Sequence, residues 1–438
     1  MRTPSTAACA LGTFFALAAL GAPPEVLSTS PSHGQAGVDP NTKSITATFS
    51  QPMQVGNHSW VGGGPTFPKL SAQPSWEDNR TPVLSVTLEP DHDYVLYLNN
   101  APYLNFRSAR GEPAVSHQLA FTTRKLPTTK EINQYALDTM REAILSNYSY
   151  RDRLDVNWAA HLDSLEENIL ASDSTLRLAT RLADALAPAK DIHIAVRLDN
   201  WAFGTYQANA KPNFNGRVLS QAIPNLTKHS DAVLSGWIDD DTAYLLVTTW
   251  DRSANAGQLA ADALQDLRAA KNLIIDVRPN GGGDELHARV LAACFTDEPI
   301  VYATNKNIDP NNPGQFTVRY ERVLQPSDAH ANFEGRVAVL MGNACMSSNE
   351  AFVLMMRAAG AALVGANTFG SSGNPQRYDL GSGVTITLPS WLAMTADGTP
   401  VEGVGVEPDI KVARGPREGG RRDPVLEAAL RHLRARSP

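Results

Sequence analysis

Three cysteines occur in 438 residues, and one of them, Cys9, lies inside an apolar N-terminal run. That leaves too few for a disulfide framework. Cys294 and Cys345 sit in apolar surroundings, where a bridge and a pair of buried free thiols are both open. No Cys or His spacing has the pattern of metal ligands, so no metal or other cofactor is expected. Positive charge is also short: 38 Lys and Arg against 45 Asp and Glu leave a formal charge of -7. Nothing here is built to hold nucleic acid. No apolar stretch reaches the roughly 20 residues that a membrane span needs. The nearest, Ala7–Leu20, follows Arg2 and ends in the small residues Gly21 and Ala22. This is the layout of a secretory signal peptide over residues 1–22, and it predicts export to the periplasm or the medium with no span left after cleavage. Neither an internal repeat nor a low-complexity tract is present.

What is there falls into sections. Residues 24–124 carry short alternating runs, SITATFS, LSVTLEP, YVLYLN and HQLAFTTR, separated by turn residues. Their spacing predicts an all-β sandwich. Composition shifts after Leu126-Pro127. Helical spacing appears over Lys130–Asn147 and Trp158–Leu186, and residues 128–198 form a helical segment. Asp191–Leu198 alternates as a strand, with His193 on the face opposite Ile192, Ile194 and Val196. Asn200–Gly236 reads as loops with short strands. From Ala243 strands alternate with helices, among them Gln258–Ala270 and Glu285–Cys294, so residues 199–415 are expected to form an α/β core. Further strands are expected over Val384–Leu392 and Val401–Val412. Residues 416–438 are a tail with a closing amphipathic helix, Pro424–Arg434.

The chain is organised around Arg336–Gly360. An apolar strand, Val337–Met341, runs through a turn of small residues into a helix over Asn349–Ala359, with Ser347 and Ser348 at the joint. A serine there either caps the helix or presents a hydroxyl beside backbone donors and the positive end of a helix dipole, where an oxyanion can be held. Asn272–Gly283 ends a buried strand in Gly281, Gly282 and Gly283. No phosphate-loop pattern follows, so the glycines read either as a plain turn or as donors facing a substrate.

DVRPNGGG, GNACMSSNEAF, TFGSSGNPQ and EGVGVEPDI stand in that order. Together they resemble the C-terminal-processing (tail-specific) serine protease superfamily, over roughly Thr128–Val412. The resemblance implies a crotonase-like core and peptide hydrolysis through an acyl-enzyme on Ser347. Ser348 with Gly282 or Gly283 would supply the oxyanion hole. The tail-specific branch takes its base from a lysine in a TFGKG-like loop; here that loop is Thr368-Phe369-Gly370-Ser371-Ser372-Gly373. A hydroxyl cannot act as a general base near neutral pH. The pattern instead resembles the tricorn-core branch, which uses Ser, His and Glu, with His193 as base and Glu402 as the carboxylate that orients it. His287 is the reserve base, Glu350 is expected to stabilise a helix start, and Ser371 and Ser372 either line the pocket or shape the turn. Asn200–Gly236 is too short for the PDZ module of tail-specific members, which puts recognition of a free C-terminus in doubt.

Residues 24–124 resemble bacterial Ig-like domains, in VLSTSPSHGQAGVDPNTKSITATFSQPM and LAFTTR, and would dock an unknown envelope partner. The expected partner of the core is a peptide or protein substrate. A non-catalytic binding protein on the same core, for a small apolar ligand or a peptide, is the alternative, since the superfamily includes a retinoid-binding branch. A third reading makes the whole chain an envelope scaffold.

Overall fold

The computed structural model describes residues 22–412, 415, 416 and 420–435. The expected signal peptide therefore lies outside the described residues, apart from Ala22. The chain divides into two compact units, Met1–Thr128 and Thr129–Pro438.

The first unit is all-β. One sheet is built on Val26–Ser30, Ser44–Phe49 and Pro82–Thr87, the other on Gln35–Val38, His117–Thr123, Asp93–Leu98 and Trp60–Val61. Alternation along Ser44–Phe49 puts every second residue inward, as the two-residue repeat of a strand requires. Ile45, Leu84, Val86, Leu96, Leu119 and Phe121 meet between the sheets. The predicted sandwich is present.

The second unit opens with helices α1 (Thr129–Asn147), α2 (Trp158–Leu170) and α3 (Thr175–Leu186). The single helical stretch read over Trp158–Leu186 is two helices. Ser174 breaks it, because its side chain accepts the N–H of Arg177 and caps a new start. These helices pack on a four-stranded antiparallel sheet, ordered Trp201–Gly204, Ala195–Leu198, Val384–Pro389, Pro375–Asp379.

The central sheet has seven strands, in the order Thr227–Lys228, Val233–Trp237, Thr242–Val247, Asn272–Asp276, Arg336–Met341, Ala362–Gly365 and Ile410–Lys411. From Thr242–Val247 onward neighbouring strands are parallel. Its two middle strands are buried at every residue, as expected of parallel strands covered on both faces. Leu245, Leu273, Ile275, Val339 and Met341 face α5 (Ala256–Asp266), α6 (Glu285–Ala292) and α7 (Ser348–Ala358). Tyr244, Leu246, Ile274, Ala338 and Leu340 face α4 (Gly216–Ala222) and α8 (Pro424–Arg434). The predicted α/β class stands, and α4 is a helix inside a stretch read as loops and strands. A third sheet joins Tyr320–Leu324, Ile300–Asn307 and Trp391–Thr395.

Two predicted strands are shorter than the alternation suggests. Val401–Val412 pairs only over Ile410–Lys411, because Gly403 and Gly405 take positive φ and turn the chain. Asp191–Leu198 pairs only from Ala195. Asp191 Oδ1 accepts the N–H of His193 at 2.9 Å, and this Asx-turn competes with strand pairing. His193 therefore stands on a turn at the mouth of the strand.

Candidate active site

Ser347 sits where the strand Arg336–Met341 gives way to α7. Its backbone has φ 55° and ψ -126°, a region that costs a non-glycine residue about 1–3 kcal/mol. Neighbouring bonds hold it there. The Ser347 N–H donates to Ser371 O at 2.8 Å and to Glu350 Oε2 at 3.2 Å. Below the turn, Cys345 donates its S–H to Val277 O at 3.2 Å. Cys345 and Cys294 are both free and buried, and burial pushes the Cys345 thiol up to about 12. Cys345 anchors the turn as a neutral group.

The glycine loop is strapped to the same turn. Asn349 donates to Val277 O and Asn280 O at 3.1 and 2.9 Å and accepts the Trp250 indole N–H at 2.9 Å. Ser348 Oγ donates to Gly283 O at 2.6 Å. Gly282 differs from the expected donor: its own N–H is spent on Asn280 Oδ1 at 2.8 Å. Its contribution is steric, since a Cβ there would stand 2.7 Å from Met346 O and 3.0 Å from Ser347 Cβ. Gly281 and Gly283 line the cavity beside Ser347 and Ser348.

His193, 154 residues upstream, reaches this point by tertiary structure. Thr387 on the four-stranded sheet donates its hydroxyl to His193 O at 2.8 Å. His193 Nε2 and Ser347 Oγ then lie 3.0 Å apart. That is hydrogen-bonding distance for a base and the hydroxyl it would deprotonate. His287 is not among the residues lining this cavity.

Residues 241–412 match the family described as Peptidase family S41, and residues 21–123 match Bacterial Ig-like domain. The chain carries a peptidase family S41 domain. It is similar to the carboxy-terminal processing protease CtpA of Bacillus subtilis (strain 168), 25% identical over 189 residues, which is 41% of this chain and 37% of that relative. The chain thus spans well under half the length of CtpA. In structure it resembles a protein of Parabacteroides merdae ATCC 43184, provisionally assigned as a peptidase, with a TM-score of 0.60 and 24% identity over 70% of this chain and 98% of the other. That likeness concerns the fold.

In the S41 domain the loop Thr368–Gly373 wraps the nucleophile turn. Glu350, 1% exposed, accepts from Thr368 Oγ1, Gly370 N–H and Ser371 N–H at 2.5, 2.8 and 2.7 Å. Burial pushes its carboxyl up to about 7, against the pull of these donors. Glu350 does more than stabilise a helix start; it ties the loop to Ser347. Ser371 is buried and Ser372 lines the cavity.

Glu402 lies behind this loop, accepting Ser372 N–H at 2.8 Å, with Arg153 Nε 3.8 Å from its other oxygen. Burial, then the charge of Asp191, push its carboxyl up to about 8. No hydrogen bond joins Glu402 to His193. The carboxylate beside the imidazole is Asp191, whose Oδ1 is 3.6 Å from Nδ1. Asp191 and Tyr148, which donates its hydroxyl to Asp191 Oδ2 at 3.0 Å, were not singled out from the sequence. An Asp two residues before a candidate His, in a position to form an Asx-turn, was the available signal for the first.

The cavity holds about 690 Å³ and is walled further by Asp251, Asp284, Glu285, Asn374 and Trp391. Among the described residues, no group of three or more His, Cys, Asp or Glu could hold a metal ion, and no helix is long and apolar enough to cross a membrane.

Proposed function

We propose that this chain is a serine peptidase acting on peptide or protein substrates, with Ser347 as nucleophile and His193 as general base. The single observation that carries the reading is the 3.0 Å approach of His193 Nε2 to Ser347 Oγ, at a hydroxyl displayed on a strained turn. Ser347 Oγ attacks the scissile carbonyl, His193 takes its proton and returns it to the leaving amine, and water then releases the acyl group by the reverse route. The Ser348 N–H, at the start of α7, and an N–H of Gly281 or Gly283 receive the oxyanion, where each donor is worth roughly 10²–10³-fold in rate. Glu402 belongs to the same assembly through Ser372. The loop that holds a lysine in other branches offers only serines, which supports histidine as the base.

Labelling of the full chain with a fluorophosphonate probe tests this. Wild type is expected to label, Ser347→Ala not at all, and His193→Ala about 10²–10⁴-fold more slowly. A wild type that does not label overturns the peptidase reading and favours the ligand-binding alternative. Labelling that His193→Ala leaves unchanged overturns the base.

The N-terminal leader pattern supports export to the periplasm or beyond, with the Ig-like unit serving an envelope partner. An intact Met1 on the protein recovered from its native host would refute the export reading.

A further inference from the structure

We propose that Asp191, and not Glu402, is the positioning residue that orients His193. The inference rests on the peptidase reading above and names a part of the same site. For His193 Nε2 to accept the proton of Ser347, the other ring nitrogen must carry a proton and direct it at an acceptor. His193 Nδ1 is buried and has no hydrogen-bond partner. The acceptor facing it is Asp191 Oδ1, 3.6 Å away. Closing that gap to an ordinary hydrogen bond takes a shift of about 0.7 Å, and catalytic hydrogen bonds that are long without substrate tighten when it binds.

Asp191 is held for the task. Its side chain is fully buried, Oδ1 receives the His193 N–H at 2.9 Å and Oδ2 the Tyr148 hydroxyl at 3.0 Å. Tyr148 is itself buried, edge-on to Tyr150 and Trp158. Both oxygens are thus fixed by neutral donors, so no cation draws the carboxylate away from the imidazole. Glu402 has the opposite situation. Its oxygens are turned to Ser372 N–H and towards Arg153, and burial together with the Asp191 charge pushes its carboxyl up to about 8. Two buried carboxylates close together do not both ionise readily. Burial and the neighbouring carboxylate both favour the uncharged form of Glu402, and an uncharged acid does not balance an imidazolium. The titratable and charged groups around the imidazole and its carboxylate are Asp191, Glu402, Arg153, Tyr148 and Tyr150. Glu350 adds a weaker influence on Glu402.

The test uses the full chain with Asp191→Asn, Glu402→Gln and Tyr148→Phe. It compares fluorophosphonate labelling rates across pH with the NMR titration of the His193 Cε1–H, assigned by its loss in His193→Ala. Asp191→Asn keeps an acceptor for the His193 N–H but removes the charge. It is expected to slow labelling about 10²–10⁴-fold and to move the His193 titration midpoint to lower pH. Glu402→Gln, close in shape to a protonated carboxyl, is expected to stay within about tenfold and to leave the midpoint in place. Tyr148→Phe is expected to slow labelling about tenfold, and it carries the test if Asp191→Asn does not fold. The reverse pattern, with Glu402→Gln crippling and Asp191→Asn mild, overturns the assignment, as does a Tyr148→Phe enzyme with unchanged rates when it must stand alone. If wild type fails to label, the peptidase reading falls by itself. The NMR arm still decides the contact, because a midpoint unmoved by Asp191→Asn overturns the positioning role.

Discussion

At the scale of single residues, the site depends on what a backbone can do without a side chain. Gly282 has φ 105° and faces Met346 O and Ser347 Cβ across a gap that a methyl group would overfill. Gly282→Ala should push the glycine loop away from Ser347 and lower the labelling rate by roughly 10²-fold, the usual penalty for an ångström-scale displacement of a catalytic group. Gly281→Ala is the control, since a Cβ there meets nothing within 4 Å. It should lose less than Gly282→Ala. Equal losses in the two variants would mean that Gly282 is not the point of close approach. The motif of three glycines announced the loop. Only the tertiary contact with Met346 assigned the tight position to Gly282, and only the bond to Asn280 removed its N–H from the oxyanion hole.

At the scale of elements, the strand that leads into the glycine loop is tied to the last helix by a buried ionic network. Arg278 meets Asp276 at 2.6 Å and Asp423 at 2.8 Å, with all three side chains out of solvent. Burial opposes the charge on Arg278, but the two carboxylates outweigh it and raise its pKa. Asp423 also caps α8, accepting the N–H groups of Val425 and Leu426 at 3.1 and 3.2 Å. Asp423→Ala strips the cap and leaves a buried guanidinium with Asp276 as its one carboxylate partner, besides the Asn213 carbonyl. A loss of about 3–5 kcal/mol is expected, seen as a fall of about 5–8 °C in the calorimetric Tm of this unit. A change under about 2 °C would show that the network contributes little. The helix was legible from its amphipathic spacing. The partnership with Arg278, 145 residues earlier, was not, because sequence separation carries no record of which strand end a helix start meets.

At the scale of the whole molecule, the buried carboxyls couple stability to pH. Glu402 binds its proton more tightly in the folded chain, with a pKa pushed up to about 8 from 4.5. Between those values the folded state therefore holds more protons than the unfolded state. The stability due to this group is present at low pH and falls as pH rises towards 8, by about 1.4 kcal/mol per unit. Glu350 adds to the same trend up to about 7, so the interval from pH 7 to 8 belongs mainly to Glu402. Urea unfolding of the full chain, followed at the transition of the second unit, should lose about 1 kcal/mol more over that interval in wild type than in Glu402→Gln. Parallel curves for the two proteins would show that Glu402 is not a neutral buried acid.

The sequence by itself determined the two-part plan, the sandwich followed by an α/β core, because alternation and helical spacing are local consequences of which side chains must leave water. It also singled out Ser347, since a strand, a small-residue turn and a helix start are contiguous in the chain. Which groups surround that serine was decided by the tertiary structure. His193 arrives from a turn that the alternation of its neighbours disguised as a strand, held there by the side chain of Asp191. Glu402 comes to lie behind Ser372, apart from the imidazole. Both outcomes rest on bonds between residues far apart in sequence or on one side chain outbidding a strand for a backbone N–H, and neither leaves a periodic mark in the order of the amino acids.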